Sequence, residues 1–304
     1  MELHIFDFDG TIFYSPSPSA RIKETHGANV YARLMRPLTD NGLGWFQSLT
    51  TLLPPAVPTA PPIQEWYLTP VLRRMMELRQ RQRDAAAIGA PEDVKMFVLT
   101  GRDEKFRYRI EELLTHGGLR DMLGAVLLKP HETYGTVKFK LEALYSLIAQ
   151  NRPKHVFYYE DRVEQGQQLL DGIRLLSQAV HPDAPESLYV HTAVLKESGE
   201  VHPTLLERRD GKARSGPALR WWDETRRRVA PDPLTSILPF TFTMLLIDPS
   251  LSSRCERLLS ASAEDEVVAQ LRYERDAYES SNPGGPKKKS SFRRGSNRHY
   301  YPKK

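Results

Sequence analysis

Cysteine is almost absent: Cys255 is the only one in 304 residues. A single thiol builds no internal disulfide framework and no thiolate-rich zinc site, so a reducing compartment is the simplest expectation. Long apolar runs are missing too. The longest, Leu234 to Ile247, falls short of the ~20 residues needed to cross a bilayer, and the apolar start reaches Asp7 too soon to read as a signal peptide. These features predict no membrane contact and an intracellular location, cytoplasmic or nuclear. There is no internal repeat. Hydrophobic residues at 40% and charged residues at 27% exclude collagen-like, wholly disordered and polytopic membrane classes.

The excess of base lies at the end of the chain. The whole chain holds 43 Lys and Arg against 38 Asp and Glu, but eight of those bases lie in residues 282–304, which contain no acid. The first 281 residues therefore carry −3, and the basicity is a tail. Rich in Pro, Gly and Ser, that tail is expected to be disordered. It suits loose contact with polyanions, a nuclear import signal, or simple solubility.

Apolar runs at Leu3 to Phe6, Met96 to Leu99, Ala125 to Leu128, Val156 to Tyr159 and Leu188 to Val194 read as buried parallel strands. Helical spacing appears between them at Glu104 to Thr115, stopped by Gly117 and Gly118, and at Thr136 to Gln150, followed by Pro153. This alternation predicts an α/β fold with a parallel sheet. Residues 14–94 are too many for one crossover. They open with Ser-Pro-Ser-Pro, continue through Pro54, Pro55, Pro58, Pro61 and Pro62, and offer a helix from Ile63 to Ile88. They read as a cap-like insertion, with Trp45, Phe46, Trp66 and Tyr67 as anchors of its own small core in preference to ligand-stacking residues. Beyond Lys196 come a basic stretch from Arg208 to Arg228, the apolar Leu234 to Ile247, and a polar helical pattern from Ser252 to Tyr278. Trp221 and Trp222, beside Arg220 and Arg226 to Arg228, suit either packing on the body or stacking on a nucleic-acid strand.

In a parallel sheet, ligands gather at the carboxyl ends of the strands. The first strand there offers Asp7, Asp9 and Thr11, the second Thr100, Gly101 and Arg102, and the fourth Glu160, Asp161 and Arg162; Lys138 starts the helix after the third. Taken singly, each has a turn, cap or surface explanation. Together they bring several carboxylates to one edge, where repulsion is relieved by protonation or by a cation. Oxygen ligands alone point to magnesium. Asp7 is then free to attack phosphorus once Lys138 and the metal neutralise the phosphate, and Asp9, two residues on, protonates the leaving oxygen and later activates water.

Asp7-Phe8-Asp9-Gly10-Thr11, Val98-Leu99-Thr100-Gly101-Arg102, Lys138 and Glu160-Asp161 resemble, in order and strand context, the four motifs of the haloacid dehalogenase superfamily of phosphohydrolases. The run from Phe6 to Phe13 followed by Ser-Pro-Ser-Pro, the Leu-Thr-Gly-Arg segment, Phe139-Lys140 beside Lys138, and Tyr158 to Arg162 are similar to the fungal Swiss Army Knife RNA repair-like family. The resemblance covers residues 1–195 and implies a Rossmann-like, doubly wound catalytic core there, leaving 196–281 as a helical, partly disordered extension and 282–304 as the tail. It further implies magnesium held by Asp7, the main-chain oxygen of Asp9, and Asp161 with Glu160. Thr100 and Lys138 would grip the phosphoryl group, and Gly10, Thr11, Gly101, Arg102 and Arg162 are candidate substrate contacts. Where relatives often carry a histidine after Glu-Asp-Arg, this chain reads Val163-Glu164-Gln165-Gly166-Gln167, which weakens any inherited polynucleotide contact.

The expected function is a magnesium-dependent phosphatase that removes a terminal phosphate from RNA or DNA through an aspartyl-phosphate. A small-metabolite phosphatase and a catalytically silent nucleic-acid-binding adaptor are the alternatives.

Overall fold

The computed structural model describes residues 1–183, 185–206, 216–228 and 237–281. Seven strands form one sheet: β1 (Glu2–Phe6), β2 (Val94–Asp103), β3 (Ala125–Lys129), β4 (His155–Glu160), β5 (Val190–Leu195), β6 (Val201–Pro203) and β7 (Thr241–Ile247). Their spatial order is β3-β2-β1-β4-β7-β5-β6. All neighbours are parallel except β6, which returns antiparallel along β5. The architecture is α/β with a mostly parallel sheet, and it fits a Rossmann-like arrangement. The chain runs outward from β1 through β2 to β3, then crosses back to β4 on the other side of β1. That reversal opens a crevice between the carboxyl ends of β1 and β4. Register aligns the two ends, with Phe6 opposite Tyr159.

Helices cover both faces because the inner strands are apolar on both sides. One face packs on α4 (Thr69–Ala87) and α5 (Arg107–His116), which follow the short helices α1 (Arg21–Thr25), α2 (Ala28–Leu34) and α3 (Ile63–Trp66). The other face packs on α6 (Thr136–Asn151), α7 (Val163–Val180) and α8 (Pro217–Arg228). In α6 the buried positions Lys140, Leu141, Leu144, Leu147 and Ile148 recur at three and four residues, which makes one stripe. Arg152, at φ +46°, ends that helix before Pro153. Trp221 and Trp222 are buried against the α6 and α7 face, so both indoles are committed to the core, while Arg226 and Arg227 are exposed.

The single helix expected from Ile63 to Ile88 is two. The break at Tyr67-Leu68 has a local cause: Tyr67 bridges to Phe13, and the Leu68 amide donates to the Ile12 carbonyl at 3.0 Å, so this backbone is bound to the loop after β1. Pro70 then sits in the first turn of α4, where its missing N–H costs nothing.

The region past residue 195 also differs from the helical extension expected. Thr241–Ile247 is a buried strand wedged between β4 and β5, and β6 borders β5, so the sheet runs straight through the boundary drawn at 195. Its β-branched, aromatic and aliphatic residues suit a strand enclosed on both faces. The remainder is helical: α9 (Pro249–Ser252), a 3-10 turn at Ser253–Arg257 and α10 (Ala261–Ser281). The tail, residues 282–304, and much of the basic stretch after Arg208 lie outside the described residues. No described helix is long and apolar enough to cross a membrane.

Helix α10 packs on the segment between β1 and β2, not on the sheet. Val267, Val268 and Leu271 join Ile22, Leu34, Leu43, Trp45 and Ala56 in a separate apolar cluster. A polar seam runs beside it. The buried Glu264 carboxylate accepts from the Ser19 amide (2.7 Å), the Ser19 hydroxyl (2.8 Å) and Arg21 Nε (3.0 Å). The Arg21 side chain is 28% exposed, so solvent screens the ion pair and the hydrogen bonds carry more of the stabilisation. Glu264→Ala strands these donors and is expected to lower unfolding free energy by about 3 kcal/mol in urea titration. Glu264→Gln should recover part of that loss.

Candidate active site

After β1 the chain turns sharply. The Phe8 carbonyl accepts from the amides of Ile12 (3.1 Å) and Phe13 (3.0 Å), and Gly10 takes a left-handed φ of +69°. This loop sets Asp7 and Asp9 at the crevice, both buried. Gly10 is needed for space as well as for φ, because a Cβ there would lie 2.2 Å from Asp161 Oδ2. Thr11 is fully buried and its hydroxyl has no hydrogen-bond partner, so it is part of the turn's interior.

Asp7, Glu160 and Asp161 each present a carboxylate oxygen within 4.8 Å of the others, the one such acidic trio among the described residues. Between them sits Lys140, with no exposed surface: its Nζ is 3.1 Å from Asp7 Oδ2 and 3.0 Å from Glu160 Oε2. Lys138, the lysine chosen from sequence, is not there. It reaches outward to Glu224 at 2.6 Å, on a side chain one-third exposed. The reason is helical phase. Lys140 lies four residues before Leu144 on the buried stripe of α6, whereas Lys138 falls off it. The signal was present in the pattern, since Lys140 interrupts an otherwise apolar helix face.

The two oxygens of Glu160 are occupied, one by Lys140 and one by the Arg162 amide at 3.2 Å. Asp7 Oδ1 and Asp161 Oδ1 are buried with no partner at all. Orphaned buried acceptors are costly, and two of them facing one acidic cluster fit a cation with an oxygen preference. The trio could hold a metal ion, with Asp7 and Asp161 as the free donors and Glu160 as the brace for Lys140.

Electrostatics agree with this division. Burial pushes the Asp7 carboxyl up to about 7, with Lys140 opposing and the Glu160 and Asp9 charges adding to the rise. Burial and the adjoining Glu160 charge likewise hold Asp161 well above the usual carboxylate range. Lys140 is driven the other way from what burial alone would give, because Asp7 and Glu160 outweigh desolvation and keep the ammonium charged. Asp9 also departs from its buried neighbours. Burial would raise it, but the Arg102 charge and hydrogen bonds bring it below its ordinary value.

Beside the acids is a cavity of about 120 Å³. Asp7, Asp9, Gly101, Arg102 and Arg162 line it, as the sequence led one to expect. Lys129 and Thr136 line it as well; they were missed because Lys129 is simply the last residue of β3 and Thr136 the first of α6. Gln165 of α7 is a further wall residue. Phe46 and Gln47 close it from the segment between β1 and β2. Of that segment's four aromatic anchors, Trp45, Trp66 and Tyr67 are buried as expected, while Phe46 faces the site. Thr100 is fully buried; its hydroxyl lies 3.5 Å from Asp9 Oδ2 and accepts the Arg102 amide at 3.2 Å. A larger hollow of about 550 Å³ opens at the amino ends of β2 and β3, away from these groups.

Gly10→Ala is expected to push Asp161 out of the trio. Wild type should show a magnesium-dependent rise in melting temperature that Gly10→Ala and Asp161→Asn both lack, read by thermal shift with and without the metal. No protein-family model, no curated protein and no solved structure matches the chain, so the chemistry of the crevice is what speaks for function.

Proposed function

We propose that this protein is a magnesium-dependent phosphohydrolase of the haloacid dehalogenase type that works through an aspartyl-phosphate. The observation that carries the reading is the buried Asp7-Lys140-Glu160 chain beside Asp161, with one unpartnered oxygen each on Asp7 and Asp161, at the reversal point of the sheet. A purely structural cluster has no reason to leave buried carboxylate oxygens unsatisfied.

In this reading Asp7, Asp161 and the main-chain oxygen of Asp9 hold the metal, with Glu160 adjoining, and the ion would neutralise phosphoryl oxygens as a Lewis acid. One Asp7 oxygen attacks phosphorus. The bond from phosphorus to the leaving oxygen breaks, that oxygen keeps the electron pair, and it takes a proton from Asp9, whose carboxyl the negative charge of a bound phosphate would raise against the hold of Arg102. Asp9, now a carboxylate, removes a proton from water as the water oxygen attacks the aspartyl-phosphate. The bond to Asp7 then breaks, inorganic phosphate leaves, and both aspartates return to their starting forms. Lys140 keeps Asp7 aligned and offsets the charge that gathers around it. Lys129, Thr136 and Arg162 are available for the phosphoryl oxygens and Gly101 gives them close backbone approach.

The segment between β1 and β2 acts as the cap-like insertion, through Phe46 and Gln47. For substrate, the basic tail and the family likeness favour the terminal phosphate of a nucleic acid. One observation favours a small phosphorylated metabolite instead: about 120 Å³ is well under the ~300–1,000 Å³ of sites that enclose a whole drug-sized ligand, so a bulky substrate must leave all but its phosphate outside. A silent adaptor on the same scaffold has the weakest support, since the reacting groups remain together.

With magnesium and an aryl phosphate, Asp7→Asn is expected to lose more than about 10³-fold in phosphate release. Activity that survives this substitution removes Asp7 as the nucleophile. Lys140→Met should lose on the order of 10²-fold or more, while Lys138→Met, which breaks only a part-exposed ion pair, should stay within about twofold. Competition between a 3′-phosphorylated oligonucleotide and sugar phosphates, with and without residues 282–304, decides the substrate class. A tail that binds polyanions should show a salt slope that truncation reduces.

A further inference from the structure

Arg102 follows the second strand's Thr-Gly pair, and its sequence position suggests a hand for the substrate's phosphate. Its donors are already used otherwise. Nε reaches Asp9 Oδ1 at 3.1 Å and Oδ2 at 3.2 Å, and Nη2 reaches Oδ1 at 2.8 Å. Nη1 turns the opposite way, to the Phe46 carbonyl at 3.0 Å and the Thr51 hydroxyl at 3.2 Å. The side chain is 1% exposed, and its guanidinium carbon lies 4.7 Å from the Phe106 ring centre and 5.5 Å from that of Phe46. A planar fork with fixed donor directions is suited to join two partners on opposite sides rigidly, where a lysine's single nitrogen cannot span them.

We propose that Arg102 is a positioning residue that locks Asp9 to the loop at residues 46–51, so that one side chain sets both the place of this wall and the orientation of the Asp9 carboxylate. The role of Asp9 in this rests on the phosphohydrolase reading above; the mechanical tie does not. The contacts to Asp9 are uneven. Oδ1 takes the shortest bond and a share of a second, while Oδ2 has only the longer Nε contact and Thr100 at 3.5 Å. The same fork draws the Phe46 carbonyl inward and so sets the wall that limits the cavity. Phe46 is fixed from a second side by Arg162, whose guanidinium carbon lies 4.8 Å from the ring centre.

The test uses two phosphate esters that differ in leaving group. p-Nitrophenyl phosphate departs with little need for a proton, whereas glycerol 2-phosphate needs one. Arg102→Ala should lower kcat for the glycerol ester by on the order of 10²-fold, with kcat for the aryl ester within about threefold and KM for both nearly unchanged. Added guanidinium should recover part of the loss, and Arg102→Lys should stay impaired. Thr51→Val, which cuts only the wall side of the tie, should show the same leaving-group bias at smaller amplitude. Equal loss on both esters with raised KM would make Arg102 a substrate clamp and overturn the proposal. Hydrogen exchange on the full chain gives a readout that needs no turnover. Loss of Arg102 or of the Thr51 hydroxyl should speed exchange across residues 44–53 and, for Arg102, across the turn at 9–13, while β2 and β3 keep their protection. Unchanged exchange in both segments refutes the tie whatever the activity. Wild-type protein that releases phosphate from neither ester refutes the phosphohydrolase reading, and with it the proton role of Asp9, while exchange still decides the tie.

Discussion

An ammonium group with no exposed surface sits between two carboxylates at the reversal point of the sheet, and the rest of the site is arranged around that fact. Burying three acids within a few ångströms is unfavourable unless positive charge is brought in with them. Lys140 supplies one charge, from a helix whose apolar stripe it interrupts, and Glu160 spends its oxygens on holding that lysine and the start of α7. Two acidic oxygens are left over on Asp7 and Asp161. A divalent cation and a phosphate brought together would complete the charge balance better than water can. The raised carboxyl groups of Asp7 and Asp161 express that unmet demand.

Two sets of contacts frame this centre. The parallel sheet fixes Asp7 against the end of β4, with the Asp7 amide donating to the Tyr159 carbonyl at 3.0 Å. The long segment after β1 supplies the outer wall, and its position is fixed from two directions. Arg102 holds it from the crevice side through Phe46 and Thr51. Helix α10 holds it from behind through Glu264 and a small apolar cluster centred on Trp45. The wall therefore belongs to the body of the protein at both of its faces.

Much of this was legible in the residues. The strands carrying Asp7, Thr100 and Glu160 announce themselves as short apolar runs, and the acids at their ends follow from strand order. What was not legible depends on tertiary contact. Lys138 and Lys140 differ by two residues, and only the phase of the buried stripe on α6 separates them. Phe46 resembles the aromatic residues around it until the fold turns it toward the cavity. The helix break at Tyr67 arises from a backbone partner, Phe13, far away in sequence. Thr241–Ile247 reads as an apolar run of uncertain type because a strand enclosed on both faces lacks the alternation that would identify it.

The place of β7 bears on how the molecule is made. It lies between β4 and β5, yet about eighty residues separate its start from the end of β4. While the chain emerges from the ribosome, β4 has an open edge on the side where β7 will dock, and β5 has no route into the sheet without it. The acids of the crevice are synthesised early, but the sheet that steadies Glu160 and Asp161 is completed only by the last third of the polypeptide. A fragment cut at residue 195 would thus possess every acid of the crevice while exposing an apolar, unpaired strand edge, and self-association is the fate such an edge invites.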